Sequence, residues 1–453
     1  MKYFIDPFGC FKNQVDAETM MAFLNKDGWV FADAEEADVI IVNSCGFIER
    51  AKQESINAAI GWRALYPNKK IVLAGCLSQR YASELEESLT EVDVIFGNKD
   101  LSNIRAAVSA VVRGEGRGTA AGYAAPEQAA SSDEIETVLP ERPLLSLPGS
   151  AYIKISEGCD NRCAFCSIPF IRGRLRSRTI PAIVGECSAL LMRGVKELCL
   201  IGQDIGSFGM DRGGTQELPD LLAAISALSG DFWVRLLYIH PEHVPLQILA
   251  LMQNDTRFLP YFDLPFQHGS ASILKAMNRQ QCAEDYLALL AAIRSALPDA
   301  VVRSTFLLGF PGETEKDMDE LLDFQEKATL DWLGCFTYSR EEYTSAYSMK
   351  NRVSKKTALE RKQRVERKQT AITELRMERF IGRSLDMLIE EAIQREDLYF
   401  GRLFCHAPEV DGSVVISSDA VLETGTFIRG AVFARTGYDL HATVLPSHTV
   451  PTC

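Results

Sequence analysis

Three cysteines spaced Cys159-x3-Cys163-x2-Cys166 stand in the run Glu157-Gly158-Cys159-Asp160-Asn161-Arg162-Cys163-Ala164-Phe165-Cys166. Three thiolates this close in sequence can hold three corners of a four-iron cluster and leave the fourth iron open. An open iron is what binding and reductive cleavage of S-adenosyl-L-methionine, and hence radical chemistry, requires. A zinc site would supply two ligand pairs, and no second Cys-x2-Cys or spaced His pair follows.

Cys10, Cys45 and Cys76 form a second candidate set. Each follows a strand-like run: Tyr3-Phe4-Ile5 before Cys10, Ile41-Val42-Asn43 before Cys45, and Leu73-Ala74-Gly75 before Cys76. In an open α/β sheet the carboxyl ends of parallel strands line one edge, so these distant thiols are expected to converge there. The neighbouring Gly9, Gly46 and Gly75 would let backbone approach an inorganic cluster. The competing reading is three scattered core cysteines. Cys187, Cys199, Cys282, Cys335, Cys405 and Cys453 lack ligand spacing and read as structural or free thiols.

The elements that must position these groups are α/β throughout most of the chain. In residues 1–113, apolar runs at Ala37–Val42, Lys70–Ala74 and Val92–Phe96 alternate with amphipathic stretches at Gln14–Leu24 and Ile48–Trp62. Such alternation predicts a parallel sheet covered by helices. A Gly-, Ala-, Ser- and Pro-rich segment, residues 114–144, reads as a linker. Residues 145–378 alternate again, with strands expected at Ala151–Ile155, Glu197–Ile201, Trp233–Tyr238, Phe262–Leu264, Val301–Leu308 and Trp332–Tyr338. Six βα units with the cysteine motif after the first strand predict a partial (β/α) barrel. Lys350–Phe380 carries eleven Lys/Arg against four Asp/Glu and reads as a solvated linking helix. Residues 379–450 switch to short β runs separated by turn residues, the pattern of a small β-barrel.

Bulk composition narrows the function classes. The 453 residues are 47% hydrophobic and 24% charged, as in an ordinary globular protein. No apolar run reaches the roughly 18 residues of a membrane span, and the N-terminus lacks a signal-peptide layout, so a cytoplasmic protein is expected. Twelve cysteines in that compartment point to metal or redox chemistry rather than disulfides. A net charge of −13 disfavours a grip on nucleic acid through its phosphates and favours a basic protein partner.

The cysteine motif looks like the radical S-adenosylmethionine signature. With Cys10, Cys45, Cys76 and the terminal β domain, the chain resembles the methylthiotransferase family. Gly9-Cys10-Phe11-Lys12-Asn13, Val42-Asn43-Ser44-Cys45-Gly46-Phe47-Ile48, Gly75-Cys76-Leu77-Ser78-Gln79-Arg80, Leu264-Pro265-Phe266-Gln267-His268 and Gly309-Phe310-Pro311-Gly312-Glu313-Thr314 are family-like stretches. Phe11 stands where proline is usual and Ser44 where threonine is usual, but neither departure removes a ligand. The branch it is most similar to modifies an aspartate of a small-subunit ribosomal protein. Asp204 in Gly202-Gln203-Asp204, the stretch Ala407–Gly412 with Arg402, and ten Asp/Glu against five Arg in residues 382–453 favour that branch over the tRNA-modifying one.

The resemblance implies two [4Fe-4S] clusters. Cys159, Cys163 and Cys166 would ligate the one that cleaves S-adenosyl-L-methionine to a 5′-deoxyadenosyl radical. Cys10, Cys45 and Cys76 would hold the auxiliary cluster that carries the delivered sulfur. It also implies two S-adenosyl-L-methionine molecules per cycle, an electron donor and a sulfur donor. Gln203, Arg303, Gly309, Pro311 and Gly312 are candidate cofactor contacts, and Asp204 a candidate contact to cofactor or substrate. His240 and His268 read as core histidines. Two alternatives stand beside this reading: a tRNA-adenosine methylthiotransferase, for which the acidic terminal domain is unsuited, and a non-catalytic iron–sulfur carrier or scaffold, which leaves the barrel unexplained.

Overall fold

The computed structural model describes residues 1–114, 118–119, 141–394 and 396–445. Most of the expected linker and Cys453 therefore lie outside the described residues. The chain is α/β with a β-barrel at its end, as the sequence predicts. Its first sheet has six parallel strands in the order Val30–Phe31, Lys2–Pro7, Val39–Ser44, Lys70–Gly75, Val94–Phe96 and Gly118–Thr119. Val39–Ser44 is buried along its whole length. A continuous apolar run belongs in such a strand because helices cover both faces. The last strand belongs to this sheet although the sequence reading ended the domain at residue 113.

The second sheet is also parallel. Its spatial order is Ser150–Lys154, Glu197–Ile201, Trp233–Leu236, Phe258–Asp263, Val301–Leu308 and Trp332–Thr337. Its outer face packs against helices through Ile153, Leu198, Leu200, Val234, Phe262, Val302 and Phe306. Its inner face carries Tyr152, Cys199, Ile201, Trp233, Tyr261 and Trp332, which share a core with Leu403, Cys405 and Ala407 of the terminal domain. That domain is a closed five-stranded barrel of Ser384–Ala392, Leu398–Arg402, Val414–Ser417, Asp439–Val444 and Phe427–Thr436. It fills the side of the partial barrel that six strands leave open.

Two sequence expectations need correction. The far end of the linker is a structural element: Arg142 is fully buried, with Nε 2.8 Å from Glu18 and Nη1 2.5 Å from Glu186. A buried guanidinium between two carboxylates of different domains fixes their relation. The basic helix Lys355–Glu378 is likewise packed, not a solvated linker. Ala358, Arg361, Val365, Gln369, Thr373 and Met377 form one buried stripe at helical spacing. Three polar members hide that stripe from a hydropathy reading. Gln369 accepts a hydrogen bond from Gln325, and Thr373 donates to the Asp331 carbonyl.

The seam between the barrel and the terminal domain centres on Glu197. Its carboxylate meets Arg235 Nε at 2.7 Å, both Arg402 terminal nitrogens and the Ser150 hydroxyl. Burial alone would raise its pKa, but Arg402 and Arg235 outweigh it and hold the carboxyl down to about 2. Glu197→Gln is expected to cost about 3–5 kcal/mol, since two guanidinium groups lose their buried counter-charge. Chemical denaturation across pH checks this. The depressed pKa makes the wild-type contribution complete above the ordinary carboxylate range and lost as pH falls towards 2. The variant should lack that acid-dependent part; a loss under 1 kcal/mol would remove Glu197 as the keystone of the seam.

Candidate active site

Both sheets turn the carboxyl ends of their strands towards one cavity of about 220 Å³, lined by Cys10, Cys45, Cys76, Cys159, Cys163 and Cys166. Cys10 is the N-cap of the helix Phe11–Lys26, and Cys76 opens the short helix Cys76–Arg80. Cys45 follows the strand Val39–Ser44. The glycines beside them serve loop packing. A Cβ on Gly46 would lie 2.7 Å from the Cys76 carbonyl oxygen, and one on Gly9 would lie 3.0 Å from Cys45 Cβ. Small residues thus let the cysteine loops close on one another, a tighter reason than approach to a cluster.

The Cys159–Cys166 loop is braced from three directions. Asn161 donates to Asp204 at 2.8 Å, Ala164 N donates to the Met277 carbonyl, and Ala346 N donates to the Ala164 carbonyl. Beneath it, Phe310 packs with Ala164, Ile273 and Met277. Arg172, six residues beyond Cys166, links both cysteine sets. Its guanidinium reaches Glu157 at 2.8 Å, Asp16 at 2.9 Å, Asn13 Oδ1 at 2.7 Å and Cys76 Sγ at 3.2 Å.

The donor set suits iron–sulfur clusters better than a lone ion. Among the described residues, no three His, Cys, Asp or Glu side chains converge on one point as a single metal ion requires. A cluster places each thiolate on a different iron, so its ligands surround a volume instead of a point. Burial pushes the Cys76 and Cys159 thiols up to about 12, with Arg172 opposing the rise at Cys76. A cluster held by these thiols would displace protons from them. Two orphan polar groups mark the radical side for a small zwitterion. Gln203 Oε1 is a buried acceptor without a partner, while its Nε2 donates to Glu157 at 3.1 Å. Arg279 is 6% exposed, and its Nε and Nη1 lack partners. The amino and carboxylate groups of S-adenosyl-L-methionine match that donor need and acceptor need.

Four expected cofactor contacts lie elsewhere. Arg303 pairs with Asp411 at 2.8 Å, which ties the barrel to the terminal domain. Gly309, Pro311 and Gly312 do not line the cavity. The Gly309 amide donates to both Glu313 oxygens, and a Cβ there would lie 2.4 Å from Ala358 Cβ, so this turn abuts the long basic helix. His268 is buried, as expected of a core histidine, whereas His240 lines the cavity. Lys12, Asn161, Arg172, Tyr238, Gln267 and Arg279 also line it and were absent from the sequence-based site. Tyr238 and Gln267 adopt φ of 68° and 70°, a left-handed conformation that costs non-glycine residues about 1–3 kcal/mol and concentrates at functional sites. Local spacing carries no sign of such strain. Proximity to a motif cysteine was the available signal for Lys12 and Arg172.

Tyr238, Phe47, Phe165, Pro265 and Gln267 also line a second cleft of about 220 Å³ that continues to Phe336, Tyr338 and Glu341. It lies between the N-terminal domain and the last barrel strand. Phe47 is 37% and Phe336 49% exposed, which gives the cleft an apolar mouth.

Asp204 organises the barrel side. Its carboxylate accepts from His243 Nδ1 and Ser207 Oγ at 2.6 Å, Asn161 at 2.8 Å, and the His240 and Gly206 amides at 3.0 and 3.1 Å. Burial pulls the His243 pKa down, but the Asp204 hydrogen bond and charge prevail and raise it above 6.5. The stability from protonating His243 is therefore complete below pH 6.5 and lost as pH rises through the raised value. In Asp204→Asn burial should dominate and bring His243 below 6.5, which imidazole NMR titration measures. An unmoved His243 would show that Asp204 does not govern it.

Comparison with known proteins agrees with this geometry. Residues 2–97 match Uncharacterized protein family UPF0004, residues 153–324 the Radical SAM superfamily and residues 381–445 the TRAM domain. The superfamily's chemistry rests on a [4Fe-4S] cluster and S-adenosyl-L-methionine. The solved radical S-adenosylmethionine methyltransferase TsrM from Kitasatospora setae shares the fold, with TM-score 0.56 at 15% identity over 76% of this chain and 74% of that one. The ribosomal protein uS12 methylthiotransferase RimO of Treponema denticola is 43% identical, covering 97% of this chain and 99% of that protein. Those of Clostridioides difficile and Thermotoga maritima are 39% and 38% identical, each over 98% of this chain and 99% and 100% of their own lengths. With all three domains matched in order, the chain belongs to the RimO family of radical SAM methylthiotransferases and is a transferase.

Proposed function

We propose that this enzyme adds a methylthio group to the β carbon of an aspartate in ribosomal protein uS12, using one cluster on Cys159, Cys163 and Cys166 and a second on Cys10, Cys45 and Cys76. The observation that carries the reading is the meeting of both cysteine triplets on one cavity that continues into an outward cleft. When bound, the clusters and S-adenosyl-L-methionine supply hydrogen abstraction from an unactivated C–H bond and the sulfur that replaces the hydrogen. The protein's own residues bind, orient and shield. Gln203 and Arg279 would hold the amino and carboxylate groups of the cofactor. Asp204 fixes the cysteine loop through Asn161, and Arg172 holds the two triplets together. The apolar cleft from Phe47 to Phe336 excludes water from a reactive radical.

An electron donor and a sulfur donor complete the cycle, in the cytoplasm. Among the described residues, no helix is long and apolar enough to cross a membrane. The acidic terminal barrel favours a basic protein over tRNA. Two of its acids are structural, however. Asp411 is buried against Arg303 and Tyr261, and Glu390 pairs with Arg402. Glu396, Asp397 and Asp419 are exposed near one end of the barrel, where the Ser418 amide donates to the Asp397 carbonyl. They suit an electrostatic surface better.

Anaerobic protein is expected to bind about eight iron atoms, four per cluster. Replacing Cys10, Cys45 and Cys76 with Ala should halve the iron and stop sulfur transfer while S-adenosyl-L-methionine cleavage continues. Replacing Cys159, Cys163 and Cys166 should halve the iron and abolish cleavage. Full iron in the first variant would remove the second cluster.

Charge reversal at Glu396, Asp397 and Asp419 tests the partner. Turnover on uS12 should fall several-fold, most at low salt, because exposed charges are screened over about 8–10 Å at physiological ionic strength. Mass spectrometry of uS12 and of tRNA incubated with wild-type enzyme decides the substrate class. A methylthio group on tRNA and none on uS12 would overturn the assignment.

A further inference from the structure

A second buried ion pair, separate from the Arg172 network, joins the N-terminal domain to the barrel. Arg80 Nη1 lies 2.7 Å from Glu341, and the two side chains are 2% and 3% exposed. Arg80 ends the short helix that Cys76 begins. Glu341 stands just past the barrel strand Trp332–Thr337, outside the stretches matched to UPF0004 and to the Radical SAM superfamily.

The guanidinium ties three stretches of backbone. Its Nη1 also donates to the Gly46 carbonyl at 3.0 Å, and its Nη2 donates to the Glu342 carbonyl at 3.1 Å. Gly46 follows Cys45, and a Cβ on it would lie 2.8 Å from Leu77 Cα. The Cys45 loop and the Cys76 helix therefore meet backbone to backbone, and Arg80 pins one to the other. Glu341 holds Arg80 in turn. Its Oε1 accepts from Ser339 Oγ at 2.7 Å, and its Oε2 also accepts from Lys52 at 3.2 Å. Ser339 Oγ accepts from the Glu49 amide at 3.2 Å, where the helix Glu49–Leu65 leaves the Cys45 loop. Buried pairs of this kind add little net stability over apolar packing, and fixing geometry is their best-attested use.

We propose that Glu341 is a positioning residue for the auxiliary cluster. Acting through Arg80, it sets how the Cys45 loop stands against the Cys76 helix, an inference that rests on a cluster at Cys10, Cys45 and Cys76. Partners that orient metal-ligating residues tune both affinity and potential. Ser339 and Glu341 also line the outward cleft, so a barrel loop at the cleft governs the geometry of a cluster whose ligands all belong to the other domain.

The test reads each cluster alone in the full-length anaerobic protein. One background has Cys159, Cys163 and Cys166 replaced with Ala, and the other has Cys10, Cys45 and Cys76 replaced. Into each go Glu341→Gln, Glu341→Asp and Arg80→Lys. Arg80→Lys keeps the buried charge but lacks the rigid fork that spans the Gly46 and Glu342 carbonyls. In the first background, Glu341→Gln and Arg80→Lys should shift the EPR spectrum and speed iron loss to a chelator by about tenfold or more. Glu341→Asp, which keeps the charge, should recover part of that loss. In the second background, the spectrum and iron loss of the radical cluster should stay within about twofold of its parent. Equal changes in both backgrounds would make the pair merely structural and overturn the inference. An unchanged auxiliary spectrum and rate of iron loss in Arg80→Lys would overturn it too, and that variant decides the matter where Glu341→Gln does not fold. Failure of the two-cluster reading has a different signature: the first background binds no iron before any further substitution.

Discussion

Arg172 joins the N-terminal domain to the radical barrel at the point where chemistry would occur. One guanidinium reaches Asn13 and Asp16 on the first helix, Glu157 on the strand before the motif and Cys76 Sγ in the other triplet. Burial alone would disfavour its charge, but its neighbours, the Glu157 and Asp16 carboxylates among them, more than offset that and keep it protonated. Lys154 extends the network with Asp16 and, at 2.6 Å, Glu157. Desolvated charges of this kind do little for net stability compared with apolar packing, and they lose heavily when one partner is removed. Their value here is registry. Two triplets more than eighty residues apart in sequence must face one cavity, and a fixed guanidinium fork sets how the two sheets meet.

The terminal barrel has a structural part in this arrangement besides any part in recognition. A six-stranded partial barrel leaves its inner face open, and Trp233, Tyr261 and Trp332 cannot be left in water. Leu403, Cys405 and Ala407 cover them, Trp332 Nε1 donates to the Cys405 carbonyl at 2.7 Å, and Arg303 reaches across to Asp411. The carboxyl ends of the strands then remain the accessible end, and the N-terminal domain caps it. The cleft lined by Phe47 and Phe336 lies at that end.

Much of the scaffold was legible because parallel strands announce themselves as short apolar runs. Glu197–Ile201 and Val301–Leu308 have the bounds the sequence suggests, and the cysteine triplets meet where strand ends predict. Contacts made by tertiary structure were illegible. Arg303 reads as an inward cofactor ligand, yet its partner Asp411 comes from the terminal barrel, over a hundred residues away. The Gly309–Gly312 turn reads as a backbone approach to the adenosyl group, but it abuts the long helix, while Phe310 beside it supports the cysteine loop from beneath. Arg142 sits in a low-complexity stretch, and distant partners, the Glu18 and Glu186 carboxylates and the Tyr152 carbonyl, explain its burial. Asp411 shows the same limit for charge: composition counts it with the acidic surface, whereas it is a buried counter-ion.

The cavity wall and the whole chain differ in charge. The chain totals −13, yet the cavity wall presents Lys12, Arg172 and Arg279. Inside, where water is excluded, each positive group acts on its own neighbours with much greater strength. Cluster ligation brings anionic thiolates and sulfides into that space, and the cofactor and an aspartate side chain bring carboxylates. A cavity that gathers so much negative charge needs fixed cations, and they must come from residues held rigidly enough not to collapse onto it. Arg172 is held by its ion pairs and Lys12 by a helix and the face of Tyr238. The total charge was therefore a poor guide to the site.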